Sequence, residues 1–453
     1  MGIPRTLPAT RKADDRKAAG SLSGVVAQLT FTNVLVIGLG LVTGTLLARA
    51  LGPTGRGNLA AILVPFTLAP WILGLGLPAF AGKAAAQGRS LPALIGSVGG
   101  LAVLLGLVGT ALAEPIATAL AEGRETVHVW LLVGLMTLPV WIVSGVLLTV
   151  ANGLERWKHV IAARIAAPAV TVIGLGILYP LGELTVATAA AVTMCGALCS
   201  FLVVSDVARG TGRPVVVVSV AREALQFGAK AWAVEFASIA NHRLDQLVMI
   251  PLVKPRELGL YAVAVSVSGF GSILTGAVSS ALLPPVARGD RAVAARALRR
   301  TLTLIATAST LVAGAAPWLL PGIFGSGFSD ATPMTWILLV AGIPAAGIFV
   351  LATSLINADK PGVAATGEAI GLLITFPGLL LLVPAWGGIG AATVSLAAYT
   401  ANFTFLLAAS KRRFGRPLTE FILPQRADVV WMIDLVRSSR LVIWLRQMPA
   451  RSS

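Results

Sequence analysis

The chain has 453 residues, of which 56% are hydrophobic and only 12% charged, with a mean hydropathy of +0.86 and a formal net charge of +16. That balance excludes a soluble domain of this size, because apolar stretches of helix-spanning length mark transmembrane segments. The excess of basic residues does not point to nucleic acid, because its placement follows the membrane.

Residues 1–22 are basic and polar and read as a disordered cytosolic tail, too long and too charged for the start of a cleaved signal peptide. About twelve apolar helices are predicted after it, at 23–50, 57–82, 91–113, 127–150, 160–181, 184–204, 227–253, 257–283, 299–322, 333–356, 363–384 and 387–409. They are too long and too continuously apolar for barrel strands. The expectation is an all-α integral membrane protein with an N-lobe at 23–205, a cytosolic linker at 206–226, a C-lobe at 227–410 and a basic tail at 411–453. Within that tail, 428–446 mixes apolar and basic residues with Trp431 and Trp444. It fits an interfacial helix on the inner leaflet, with a disordered or partner-docking segment as the alternative.

With the N-terminus inside and twelve crossings, 29 of the 35 Lys and Arg fall on the inner side. Arg49, Arg56, Arg124, Lys254 and Arg256 fall outside, and Arg243 lies within a span. This is the positive-inside pattern, and it predicts a multi-pass protein of the cytoplasmic membrane with both termini cytosolic. The inner cations also favour anionic inner-leaflet lipid as a partner.

The chain repeats itself. Leu138-Pro139 and Ile343-Pro344, Asn152 and Asn357, Gly182 and Gly387, and Ala187-Thr188 and Ala392-Thr393 share one offset. Pro53, Gly57 and Ala60 match Pro255, Gly259 and Ala262 at a slightly shorter one. Six spans per block is an even number, so the two lobes run the same way through the membrane as a parallel repeat. Pro65, Pro70, Pro78, Pro139, Pro168 and Pro344 fall inside expected spans, where proline bends a helix. Asn152 and Asn357 read as helix ends rather than ligands.

The seventh span concentrates polarity. Phe227 to Val253 carries Glu235, Asn241, His242, Arg243, Asp245 and Gln246, whereas the other spans are almost free of full charges. An ion at membrane depth costs several kcal/mol and normally faces a partner or a wet cavity. On a helix, Glu235 and His242 lie within about 20° of one another, with Arg243 and Asp245 roughly 80° to either side. Arg243 offers a planar donor fork to a phosphate or diphosphate, or else forms a structural ion pair. Asn241, Asp245 and Gln246 join it as candidate substrate-binding residues, and Glu235 and His242 as candidates for proton coupling. The repeat-related first span contributes Gln28 and Asn33 as neutral hydrogen-bonding groups. Cys195 and Cys199 share a helix face, but no His or carboxylate stands near them, so neither a metal nor a cofactor is expected. No nucleophile–base pair or phosphate loop points to an enzyme.

The run Thr-Gly-Thr-Leu-Leu-Ala-Arg-Ala-Leu-Gly-Pro-Thr-Gly-Arg-Gly at 43–57 resembles the end of the first helix and the following loop in Wzx-type polysaccharide flippases. Asn-His-Arg-Leu-Asp-Gln-Leu at 241–247 and Gly-Leu-Tyr-Ala at 259–262 resemble the same family, and the likeness extends from residue 23 to about 410. The resemblance implies two six-helix lobes and movement of an isoprenoid-diphosphate-linked glycan from inner to outer leaflet. It implies a diphosphate-receiving role for Arg243, and a glycan polymerase or glycosyltransferases as partners. Arg49 falls in the first motif but at the outer end of its span. The alternatives are a multidrug exporter of the same superfamily and a lipid II flippase, with a non-transporting scaffold behind them. Against the first stands an N-lobe with no acid deep in a span. Against the second stands a tail at 411–453 too charged to supply further spans.

Overall fold

The computed structural model describes residues 9–209, 211–271, 275, 291–358, 360–415 and 417–438. The described residues are helical and contain no strand. In chain order the helices are α1 (Ala9–Leu73), α2 (Leu77–Ala86), then a short helix Leu91–Leu94 that passes through a π turn into α3 (Gly100–Ala111). There follow α4 (Ala113–Ala121), α5 (Glu125–Met136), α6 (Leu138–Gly153), α7 (Trp157–Leu178) and α8 (Val186–Ser205). The remainder are α9 (Val218–Met249), α10 (Pro255–Ser268), α11 (Arg291–Phe324), α12 (Thr332–Asn357), α13 (Pro361–Phe414), α14 (Leu418–Ile422) and α15 (Arg426–Ser438).

Among the described residues seven helices are long and apolar enough to cross a membrane, and eight if the bent pair α5–α6 counts as one span. Two of the seven carry more than one expected crossing. Non-helical Gly52 breaks α1 between the first and second expected spans, and non-helical Gly387 breaks α13 at the first residue of the twelfth. Helix α1 begins at Ala9, inside the segment expected to be a disordered tail. Much of the eighth expected span lies outside the described residues.

Prolines act in two ways. Pro78, Pro139, Pro255 and Pro361 sit at the first turns of α2, α6, α10 and α13, where the missing N–H has no helical partner to lose. Pro168 and Pro344 lie inside α7 and α12. Pro78 thus starts a helix, and Pro139 does so at the break where the α5–α6 pair bends by 48°.

The repeat has a backbone counterpart. Gly182 and Gly387 both adopt positive φ, at 73° and 53°. Gly182 precedes α8 and Gly387 precedes the second half of α13, the segments that carry the matched Ala-Thr pairs, in a conformation that a residue with a side chain adopts only under strain. Asn152 is the penultimate residue of α6 and Asn357 the last of α12.

The chain divides into two compact units. One comprises Met1–Ala50 with Pro65–Trp232, the other Leu51–Val64 with Ala233–Ser453. In the first, Leu77, Phe80, Ile142, Val146, Val150 and Val204 build a buried core. The beginning of α9 belongs to this unit. Trp232 donates its indole N–H to the Ile72 carbonyl at 2.9 Å, and Arg89 grips Glu223 through both guanidinium nitrogens at 2.6 and 2.9 Å. The Lys83 ammonium lies 4.5 Å from the Phe227 ring centroid. In the second unit Leu298, Leu302, Leu351, Leu355, Leu406 and Phe421 form the core.

Candidate substrate-binding site

Helix α9 carries the polar run of the seventh span. The side chains of Glu235, Asn241 and His242 lie outside the described residues. Those of Arg243, Asp245 and Gln246 are described, and they point to different environments. Arg243 is exposed, while Asp245 and Gln246 retain only 7% and 4% of their accessible surface.

Asp245 is engaged within the second unit. Its Oδ2 accepts the Tyr261 hydroxyl at 2.5 Å, and its Oδ1 accepts the Gln246 backbone N–H at 2.7 Å. Tyr261 on α10 is fully buried and also hydrogen-bonds Ser395 on α13. A buried carboxylate without donors would cost several kcal/mol, and these donors stabilise it in place. Asp245 thus ties α9 to α10 and, through Tyr261, to α13.

Arg243 belongs to a second group in the same unit. Arg56, one turn past the kink at Gly52, lies close enough for the two guanidinium charges to repel each other. Its Nε is enclosed and has no hydrogen-bond partner. Neither arginine forms an ion pair among the described residues. Two like charges repel unless an anion joins them, and two planar forks suit phosphate oxygens; Arg243 also shares the surroundings of Tyr399 with Asp245 and Glu368. Arg56 was not singled out from the sequence, which puts it in an outer loop. Its place between the repeat-matched Pro53 and Gly57 was the available signal.

The local backbone explains how Arg56 is held. Gly57 of α1 and Gly259 of α10, matched residues of the repeat, pack against each other's helix starts. A Cβ on Gly57 would strike the Pro255 carbonyl, and one on Gly259 the Pro53 carbonyl. This reciprocal contact brings the first turn after Gly52 against α10, and Arg56 with it. Glu257 steadies the other side of α10 by accepting the Gly388 N–H at 3.0 Å, just past the kink in α13.

Gln28 and Asn33 lie in the first unit. Both are exposed, and the Asn33 side-chain oxygen accepts from Arg164 at 3.3 Å. Cys195 and Cys199 are free thiols, and no group of three His, Cys, Asp or Glu able to hold a metal occurs among the described residues.

The profile of a family described as "Polysaccharide biosynthesis protein" matches residues 25–289. The chain belongs to this polysaccharide biosynthesis family. No curated protein sequence matches it. Among solved structures it is similar to the lipid II flippase MurJ in an inward closed conformation, at 14% identity, with 93% of each chain covered and a TM-score of 0.73. It is also similar to an inward-facing multidrug resistance MATE family transporter of the MOP superfamily, at 14% identity, 86% and 98% coverage and a TM-score of 0.66. A third likeness is to a MOP superfamily transporter from Pyrococcus furiosus, at 13% identity, 86% and 95% coverage and a TM-score of 0.56. These likenesses give the chain the fold of the MOP-superfamily transporters, a multi-pass helical membrane architecture, and the neighbours are transporters rather than enzymes.

Proposed function

We propose that the protein moves a polyprenyl-diphosphate-linked oligosaccharide from the inner to the outer leaflet of the cytoplasmic membrane by alternating access, for polysaccharide biosynthesis. The observation that carries this reading is the pair Arg56 and Arg243, two cations brought together in one unit with no ion-pair partner among the described residues. Their chemistry fits the diphosphate that links lipid and glycan. Asn241, on the same helix as Arg243, serves as a neutral contact to the glycan in this account. Asp245 holds the helix that presents Arg243. Glu235 and His242 are the candidates for coupling to protons. Both termini face the cytosol, in accord with the distribution of basic residues. A glycan polymerase or glycosyltransferases are the partners that such a substrate implies.

A lipid II flippase is the second reading, favoured by the TM-score of 0.73 to MurJ. It shares the diphosphate and differs in the glycan. A cation exporter fits less well, because a pair of arginines with no ion-pair partner among the described residues repels a cationic drug. Depleting the protein in its native host and identifying polyprenyl-linked glycans by mass spectrometry tests the proposal. Accumulation of one lipid-linked oligosaccharide supports it and names the substrate. An unchanged lipid pool with altered sensitivity to cationic drugs overturns it.

A further inference from the structure

The end of the second unit carries a clamp that the transport reading does not use. Asp428, 1% exposed at the start of α15, is ion-paired to Arg299 of α11 and lies 3.3 Å from Arg300 Nε. It also accepts the Gln425 backbone N–H at 3.0 Å, and Arg299 donates to the Glu420 carbonyl at 2.9 Å. The Arg300 guanidinium stacks over Trp431 at 4.9 Å from the ring centroid. Phe421 of α14 is wholly buried among Leu298, Leu302, Leu355 and Leu406. The chain after the last span is therefore bolted onto the start of α11.

What the clamp displays is the informative part. The last turn of α13 is Lys411, Arg412 and Arg413, all exposed, where cations complement the helix C-terminus. Gly415, at a φ of 68°, ends the helix and turns the chain. Beyond it Leu418, Ile422 and Leu423 remain 38%, 40% and 57% exposed while Phe421 points inward, and Arg426 is exposed as well. These leucines and the isoleucine lie past the basic turn that marks the end of the span, so the hydrocarbon interior does not cover them. An apolar edge between cations on a surface next to a leaflet is the pattern of an interfacial docking element.

We infer that residues 411–415 and 417–426, held in place by the Asp428–Arg299 clamp, form a docking platform for anionic lipid headgroups of the inner leaflet. Lys411, Arg412, Arg413 and Arg426 meet the phosphates, and Leu418, Ile422 and Leu423 enter the headgroup layer. The inference rests on the cytosolic orientation proposed above, and it stands whatever substrate is carried.

The test uses the full chain with Cys195→Ser, Cys199→Ser and a nitroxide on Leu423→Cys, in vesicles of phosphatidylcholine with or without phosphatidylglycerol. The readout is access of the label to dissolved oxygen against a water-soluble nickel chelate. The expected result is chelate protection at position 423 only in the phosphatidylglycerol vesicles, weakened by salt. Each exposed cation near an anionic leaflet shifts the docked population by about fivefold, so Lys411→Gln, Arg412→Gln and Arg413→Gln together abolish the lipid dependence. Asp428→Asn, which loosens the platform, lowers protection as well. Equal water access in both vesicles overturns the inference. So does equal protection in both, and so does protection that arises only when other membrane proteins are present.

Discussion

The reciprocal contact of Gly57 and Gly259 is open to a direct energetic test. Each glycine faces the backbone of the opposite helix. The nearest atoms to an added Cβ are the Pro255 carbonyl for Gly57, with its carbon at 2.6 Å, and the Pro53 carbonyl for Gly259, with its carbon at 2.9 Å. Backbone cannot swing aside as a side-chain tip can, so the two helices must separate. Gly57→Ala and Gly259→Ala should each cost about 1–3 kcal/mol, the range for an overpacked core. One separation relieves both clashes, so the double variant should cost less than the sum by about 1 kcal/mol. Gly314→Ala in α11 is the control, because nothing stands within 4 Å of its Cβ position. It should be neutral or stabilise by up to about 1 kcal/mol through helix propensity. Thermal unfolding of the wild type and the four variants in one detergent gives the comparison. Single variants indistinguishable from Gly314→Ala, or a fully additive double variant, would refute the packing argument.

Tyr261→Phe removes the hydroxyl that Asp245 accepts, and the loss of a charged hydrogen bond in a buried site should destabilise the second unit by about 1.5–3 kcal/mol. A Tm equal to wild type would mean that other partners hold the carboxylate. The Asp428 clamp should respond to acid. Burial works to raise the Asp428 carboxyl, but the hydrogen bonds from Arg299, the Gln425 N–H and Arg300 outweigh it and hold the group below its ordinary 3.8. A depressed carboxylate stabilises the folded form above its unfolded value and loses that contribution as pH falls through the lower folded one. A nitroxide on Leu423→Cys should therefore stay immobile from neutral pH down to about 4 and gain mobility only in stronger acid. Asp428→Asn should be mobile throughout. Mobility that rises near pH 6 in the parent protein would contradict the assignment.

Most of the architecture was legible because bilayer length and helix geometry leave few choices. The kinks at Gly52 and Gly387 fall where expected spans meet. The matched glycines Gly182 and Gly387 share positive φ, and each lies at the break between two helical segments in its half of the repeat. Helix-level detail was less legible. Pro78 looks the same in sequence whether it bends a helix or begins one, and only the path of the chain before it decides. The proposed site was legible in part. Arg243 stood out because a charge inside an apolar segment is rare. Arg56 did not, because an arginine beside a Gly-Pro turn reads as a solvated loop residue. Its enclosure depends on the close approach of α1 and α10, a long-range contact. The partnership of Asp245 with Tyr261 was hidden for the same reason. Tyr261 sits in an apolar stretch of α10 and signals packing, and its hydroxyl acquires meaning only once α9 lies beside it.

The most direct measurement is of lipid-linked oligosaccharide in cells that depend on an Arg243→Ala protein, inserted in the membrane at the wild-type level. The loss of one charged hydrogen-bonding fork, about 1.5–3 kcal/mol, predicts at least a tenfold fall in transfer and a build-up of the lipid on the inner leaflet. Arg56→Ala should act in the same direction. Undiminished transfer by the Arg243→Ala protein would contradict the account.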